Sequence, residues 1–402
     1  MLIVGYSTLI PVTPSTSAVL DRQSAPGCGA TISTVPVAAN TSGPGFTLVA
    51  GIQGSDLGHS TAVSKADIVL ADLTYDHNRG CVTVLSPVNG GWTVSATLRA
   101  PAGLARGADF GSSVAVSDNT MVVGASPVTL PGYNDGSGRA FVYERSAQGW
   151  SRVAELTGPG QGHLYGFGDD VAISGTTVVV SNFPLGAHPE SVDKLFVFTK
   201  SPSGAWPLTA TLQSGMGTCA LAAAKNLIVE GDCFDSNKGE IRTFAKGEVR
   251  TFVMASHKWV SGPTIWPPAA SGPQFGYDLA LSGQNLIVSG WGKADIFRRS
   301  STRWRELTSF PVTQTDNNRP AFPSVAISGS DAIVGAWAIT PSASTSAVYY
   351  LGDTAGSWAK TAEISSQGKG SGFVGSVALG SNFVVVNDGA NDNYIYSLPL
   401  SG

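Results

Sequence analysis

The sequence predicts an all-β chain: a seven-bladed β-propeller of four-stranded antiparallel blades, closed by an N-terminal strand that completes the last blade. Three observations predict it. One segment recurs seven times, each copy divides into short β-branched runs separated by turn residues, and the last copy stops one strand short while an extra strand precedes the first. The clearest copies are FGSSVAVSDNTMVVGA from Phe110 to Ala125, FGDDVAISGTTVVVSN from Phe167 to Asn182 and FGYDLALSGQNLIVSG from Phe275 to Gly290; weaker copies begin at Leu57, Met216, Ala321 and Phe373. A spacing of about fifty residues belongs to solenoids, propellers and arrays.

Within a copy, Val114-Ala115-Val116 and Met121-Val122-Val123 are the first two strands, joined through Ser117 to Thr120, whose residue types favour a tight turn. A third run follows a variable loop, as in Ala140 to Tyr143, Leu195 to Phe198 and Ala347 to Tyr350. The fourth opens on tryptophan: Trp92, Trp150, Trp206, Trp259, Trp304 and Trp358 each precede an alternating segment. Four strands make one propeller blade. No tryptophan strand follows Tyr394-Ile395-Tyr396, but Phe46 to Ala50 resembles a fourth strand. Joining the two completes the seventh blade and removes a sheet edge that would otherwise invite aggregation. Residues 45–402 therefore read as the propeller and 1–44 as a Pro/Ser/Thr-rich extension, expected to lie over it or to remain partly disordered.

Charged residues make up only 13% of the chain and the net charge is −4, which gives no basic footprint for nucleic acid. No apolar run approaches the length of a membrane span, so membrane insertion is not expected. Cys28, Cys81, Cys219 and Cys233 match no usual zinc spacing and no C-x-x-C motif. The hairpin of the fourth copy brings Cys219 near Cys233, and Cys28 with Cys81 would then staple the extension to the first blade. Disulfides place the chain outside the reducing cytosol, in a secreted or cell-surface setting; the alternative is four buried thiols. The opening Met1 to Val4 lacks the flanks of a secretory signal, which implies a removed signal or another export route. Asn40-Thr41-Ser42 is a glycosylation sequon.

The units resemble FG-GAP repeats, the blades of integrin α-like propellers. Phe110-Gly111 with Val123-Gly124-Ala125, Phe167-Gly168, Phe275-Gly276 and Val334-Gly335-Ala336 carry the resemblance. It implies the fold and says little about activity, because one fold hosts many functions. Integrin-like repeats often carry a D-x-D-x-D-G calcium loop between the first two strands, where several oxygens surround a hard cation. Here those positions hold short turns with few carboxylates, so no metal is assigned. The acidic loops Asn134 to Gly136 and Asp388 to Asp392 are ordinary turn chemistry or an alternative cation site.

Tight first-to-second-strand turns make one face smooth, while the opposite face collects the variable loops Leu73 to Gly80, Pro127 to Gly138, Phe183 to Asp193, Cys233 to Gly239 and Ala338 to Ser346. Function concentrates where a rigid scaffold displays variable loops, and in integrin-like propellers this face resembles a ligand platform. The two positions after each Phe-Gly pair read His59-Ser60, Ser112-Ser113, Asp169-Asp170, Thr218-Cys219, Tyr277-Asp278, Pro323-Ser324 and Gly375-Ser376, a column expected to ring the channel mouth. His59, Asp169, Asp170, Tyr277 and Asp278 are candidate ligand contacts from it; the bland alternative is that the column satisfies buried backbone groups or water. Trp291, Trp337, Tyr75, His77 and Tyr133 add aromatic candidates on the same face, suited to stacking with polar edges, or else to packing between blades.

Enzyme signatures are sparse: there is no G-x-S-x-G, H-E-x-x-H or P-loop, and no cofactor motif. Asp169 and Asp170 are strand neighbours that point to opposite faces, which argues against two facing catalytic carboxylates. No catalytic residue is assigned. The expected function is non-catalytic recognition of a glycan or protein ligand on the loop-rich face, with a propeller lyase or hydrolase at the channel mouth, or a structural assembly subunit, as alternatives. The tandem 239–254, GEIRTFAK followed by GEVRTFVM, reads as a duplicated third strand that lengthens the connection in the fourth blade or adds a protruding hairpin, or as a local slip in register; either copy fits the pattern.

Overall fold

Seven sheets stand around one axis because every blade leaves an apolar face that only the next blade can cover. The computed structural model describes residues 22–24, 28–33, 46–54, 57–65, 67–127, 138–159, 166–182, 194–215, 217–233, 247–268, 273–301, 303–312, 323–339, 344–365, 374–387 and 392–398. The innermost strands are Leu57–Val63, Phe110–Ser117, Phe167–Ser174, Thr218–Ala224, Leu279–Ser282, Ser324–Ser328 and Ser376–Leu379, and they define blades one to seven. Each touches its two neighbours, and Ser376–Leu379 packs back on Leu57–Val63, which closes the ring. Blades one to six are four-stranded antiparallel sheets in chain order.

Closure follows the expected route. Thr47–Gln53 pairs antiparallel with Asp392–Ser397, with Leu48 opposite Tyr396. That pair carries a bulge between Leu48 and Ala50, matching the bulge between third and fourth strands in blades one, two, three, five and six. A bulge increases local twist, so the borrowed strand reproduces the shape of a genuine fourth one. The seventh sheet also continues outward: Thr31–Ser33 pairs with Gly51–Gln53, and Arg22–Ser24 pairs with Thr31–Ser33. It has six strands where the repeat alone predicts four.

Both disulfides form, Cys28–Cys81 and Cys219–Cys233, each with Cα atoms 5.9 Å apart, within the usual range. In the fourth blade the third strand is Glu248–Ala255, the second of the two tandem copies. That copy turns directly into the outer strand Lys258–Ser261; the first lies outside the described residues.

The core is a set of inter-blade layers. Val69, Val82 and Val84 of blade one pack with Phe110, Met121 and Phe141 of blade two, all fully buried. The phenylalanine of each clear Phe-Gly pair meets an aromatic of its own third strand: Phe110 with Phe141 at 5.7 Å, Phe167 with Phe196 at 5.4 Å, Phe275 with Phe297 at 6.0 Å. The glycine beside it allows two blades to touch through backbone. Gly168 has φ +90°, and a Cβ there would overlap the Arg139 carbonyl of blade two. Ladder pairing jumps from Phe167 opposite Asn182 to Val171 opposite Val180. Residues 168–170 are thereby held out of the ladder at the channel mouth.

Candidate functional site

The column after the Phe-Gly pairs has a mechanical role that its varied residues conceal. In four blades its second member accepts a hydrogen bond from an inner-strand amide of the next blade: Val114 N–H to Ser60 Oγ at 3.0 Å, Val171 N–H to Ser113 Oγ at 3.1 Å, Val325 N–H to Asp278 Oδ2 at 2.9 Å and Val377 N–H to Ser324 Oγ at 3.1 Å. Serine and aspartate do the same work because the job needs only an oxygen. Cys219 holds this position in blade four and is committed to its disulfide. These bonds fasten blade one to two, two to three, five to six and six to seven.

Two carboxylates in this column carry more than that. Asp170 accepts from the Ser113 hydroxyl at 3.0 Å and stands in the field of Asp169 and of Asp278, two blades away. Its pKa is pushed up to about 8, chiefly by desolvation and further by those two charges. Asp278 rises to about 6 through desolvation, opposed by the Val325 amide, Ser324 and the Leu279 amide. Burial likewise raises Asp169, against a hydrogen bond from Ser126. Asp170 and Asp278 are half-buried. Tyr277 is exposed, and its hydroxyl is raised by burial and by Asp278. Asp169 and Asp278 both act electrostatically on Asp170, and Asp278 acts on Tyr277, so these four candidates of the column influence one another. His59 occupies the same column in blade one and is exposed.

The loop-face aromatics separate into different places. Trp291 is half-buried in the two-residue turn between Asn285–Gly290 and Lys293–Arg299, with its backbone amide donating to the Pro273 carbonyl. Trp337 lies in Asp331–Ile339 opposite Ser346. Tyr133 falls outside the described residues, as do the 134–136 loop, residues 388–391 and the sequon. Among the described residues no group of three or more His, Cys, Asp or Glu is arranged to hold a metal ion.

Tyr75 and His77 belong to an unusual turn between the second and third strands of blade one. Asp76, His77 and Asn78 have φ of +48°, +62° and +60°, so Tyr75–Asn78 makes one left-handed helical turn. Left-handed geometry costs about 1–2 kcal/mol per residue, is tolerated best by glycine, asparagine and aspartate, and rarely runs through consecutive residues. Surrounding contacts hold it. Asp72 Oδ1 accepts from the Thr74 amide (3.0 Å), the Thr74 hydroxyl (2.8 Å) and the Tyr75 amide (3.1 Å). The Arg99 guanidinium lies 5.8 Å over the Tyr75 ring. Blade two contributes as well, with the Asp109 and Phe110 amides donating to the Asn78 and Arg79 carbonyls. Asp76 and His77 project from this frame, the His77 side chain 66% exposed.

Comparison with known proteins decides the repeat family. The segment from Trp92, in the outer strand of blade one, to Tyr143, in the third strand of blade two, matches the FG-GAP repeat model. Residues 92–143 are an FG-GAP repeat. No curated protein sequence matches the chain significantly. Solved structures similar to it include the Pan2 WD40 domain of Neurospora crassa (11% identity, TM-score 0.51, covering 87% of this chain and 90% of that one). Others are Sqt1 from Chaetomium thermophilum (12%, 0.49, 85% and 96%) and BamB from Moraxella catarrhalis (12%, 0.46, 89% and 99%). At these identities the likeness is one of fold.

Set against the FG-GAP pattern, blade four holds a residue that reading for motifs missed. Glu230 fills the second-strand position taken by Val123, Val180 and Val334 elsewhere, and it is fully buried. Its Oε1 accepts from Thr218 at 2.7 Å and from Ser214; desolvation raises its pKa, opposed by those hydroxyls and by Arg250. A glutamate before the motif glycine, in a column of valines, was the signal available. Trp266 was missed too, because it follows an outer strand and belongs to no repeated position.

Proposed function

We propose that this chain is a secreted or cell-surface, non-catalytic recognition module whose partner, a protein, docks on the loop-rich face over blade one. The observation that carries the reading is the left-handed turn Tyr75–Asn78. Strained backbone persists only where its surroundings over-determine it, and such strain concentrates at functional sites. Here a buried aspartate, a stacked arginine and the next blade hold in place a turn that displays an acid, an imidazole and half of a tyrosine ring. Rigid presentation lowers the entropy lost on binding, which favours affinity. The acidic channel mouth supplies a second polar contact region on the same face. Two disulfides favour an oxidising compartment, and no helix among the described residues is long and apolar enough to cross a membrane.

The test is an array of extracellular-matrix and cell-surface proteins, read for saturable binding and, in parallel, for proteolytic or glycolytic product. Binding without turnover, weakened at least tenfold by Asp76→Ala with His77→Ala, is the expected result. Product release that scales with enzyme concentration and is lost in Asp170→Asn would instead establish the channel mouth as a catalytic site.

A further inference from the structure

The rim of the propeller carries a second concave surface, away from both the channel and the strained turn. After Lys258–Ser261 the chain does not leave blade four. The Gly262 amide donates to the Thr251 carbonyl at 2.7 Å, and Val249 and Ile265 exchange backbone hydrogen bonds of 2.9 and 2.8 Å. Ile265 is buried beside Phe275 and Phe297, so its neighbour Trp266 is turned outward and is 67% exposed, the most exposed large apolar side chain described. The pinned segment and blade five enclose a cleft of about 410 Å³ lined by Pro263, Trp266, Phe297, Arg303, Trp304 and Glu306. That volume falls within the roughly 300–1,000 Å³ of ordinary small-ligand sites. Trp304 and Glu306 are two residues apart on the strand Trp304–Pro311 and face the same way.

The chemistry of the lining selects the ligand. An indole as exposed as Trp266 offers a flat apolar platform. Arg303 only donates hydrogen bonds and Glu306 only accepts them; both are exposed. A ligand of one charge would pair with one of these two groups and be repelled by the other. A proline-rich peptide could stack on the tryptophan but brings few donors for the carboxylate. A neutral pyranose satisfies all three, with a C–H face for the ring and hydroxyls that both donate and accept along its edge. We infer that the cleft between blades four and five, built on Trp266, Arg303 and Glu306, is a binding site for a neutral saccharide of one or two residues. It is independent of the loop-face reading.

Isothermal titration with neutral mono- and disaccharides of glucose, galactose, mannose, xylose and N-acetylglucosamine tests the inference, with a proline-rich decapeptide as a competing probe. At least one saccharide is expected to bind saturably, with affinity reduced tenfold or more by Trp266→Ala and several-fold by Glu306→Gln. Because Trp266 is exposed, its variant should melt with the parent protein. Asp76→Ala with His77→Ala should leave saccharide binding unchanged, which separates this site from the loop face. No saccharide binding at millimolar concentration, binding indifferent to Trp266→Ala, or binding of the decapeptide alone would overturn it.

Discussion

The two faces of the ring are joined by the same kind of bond and differ in how they treat charge. On the turn face, Ser117 accepts from the Gly175 amide and Ser282 from the Gly329 amide, much as Ser60 and Ser324 do at the other end of the inner strands. Three carboxylates on the turn face meet a cation from the adjacent blade: Asp67 with Arg145 at 2.6 Å, Glu144 with Lys200 at 2.7 Å, Asp353 with Arg298 at 2.7 Å. On the loop face the ion pairs lie within one blade, as in Arg250 with Glu248 at 2.7 Å, while Asp170 stands in the field of Asp169 and Asp278. That face also carries both disulfides and the left-handed turn. A face that gathers repelling carboxylates and strained backbone, with cross-links to hold them, retains features that stability alone does not favour.

The sharpest contrast between the faces is between two glycines of one inner strand. Gly168, at the loop-face end, combines φ +90° with contact to the Arg139 carbonyl, whereas Gly175, in the turn-face hairpin, has φ +57° and open space around it. Gly168→Ala should abolish soluble, monodisperse protein, and Gly175→Ala should cost only about 1 kcal/mol. Size-exclusion chromatography and thermal melting of the pair check this; equal effects would mean that the blade contact at Gly168 is not rigid.

Cross-links come next in size. Chain-entropy arithmetic for the 53-residue separation of Cys28–Cys81 gives about 4 kcal/mol, and for the 14-residue Cys219–Cys233 about 3 kcal/mol. Intact-mass analysis of the native protein should find no free thiol. Cys28→Ser with Cys81→Ser should lower the denaturation midpoint more than Cys219→Ser with Cys233→Ser does.

The acidic mouth gives a pH signature. Asp170 has a folded-state pKa raised to about 8, so from about pH 4 upward the unfolded chain gives up this proton while the folded protein keeps it. Its contribution to stability is therefore greatest at low pH and declines as pH rises to about 8. Asp170→Asn keeps the acceptor for Ser113 and cannot ionise. It should melt above the parent at pH 8, with the difference shrinking towards pH 4. A difference independent of pH would mean that Asp170 is not held neutral.

Much of this architecture was legible in the chain because the fold is local and repeated. Phe-Gly pairs, turn residues and outer tryptophans recur in order, and the surplus Phe46 to Ala50 could serve only the missing strand. Arg22–Ser24 and Thr31–Ser33 were not legible: three residues are too few to show a period, and their partners are set by closure of the ring. The inter-blade bonds were hidden because Ser60, Ser113, Asp278 and Ser324 share an oxygen rather than an identity. The turn at Asp76 to Asn78 was hidden for the opposite reason, since no glycine marks its consecutive positive φ angles.

His77→Gly tests most directly whether that turn is kept for function. Glycine adopts φ near +60° without the Cβ penalty, and the exposed His77–Asp76 contact of 3.3 Å contributes little. The variant should melt at or slightly above the parent, by about 0.5–1 kcal/mol, while binding on the matrix and cell-surface protein array falls at least tenfold and Asn119→Ala on the turn face changes neither. Unchanged binding with a raised melting temperature would show that the strain serves no ligand and contradict the loop face as the working surface.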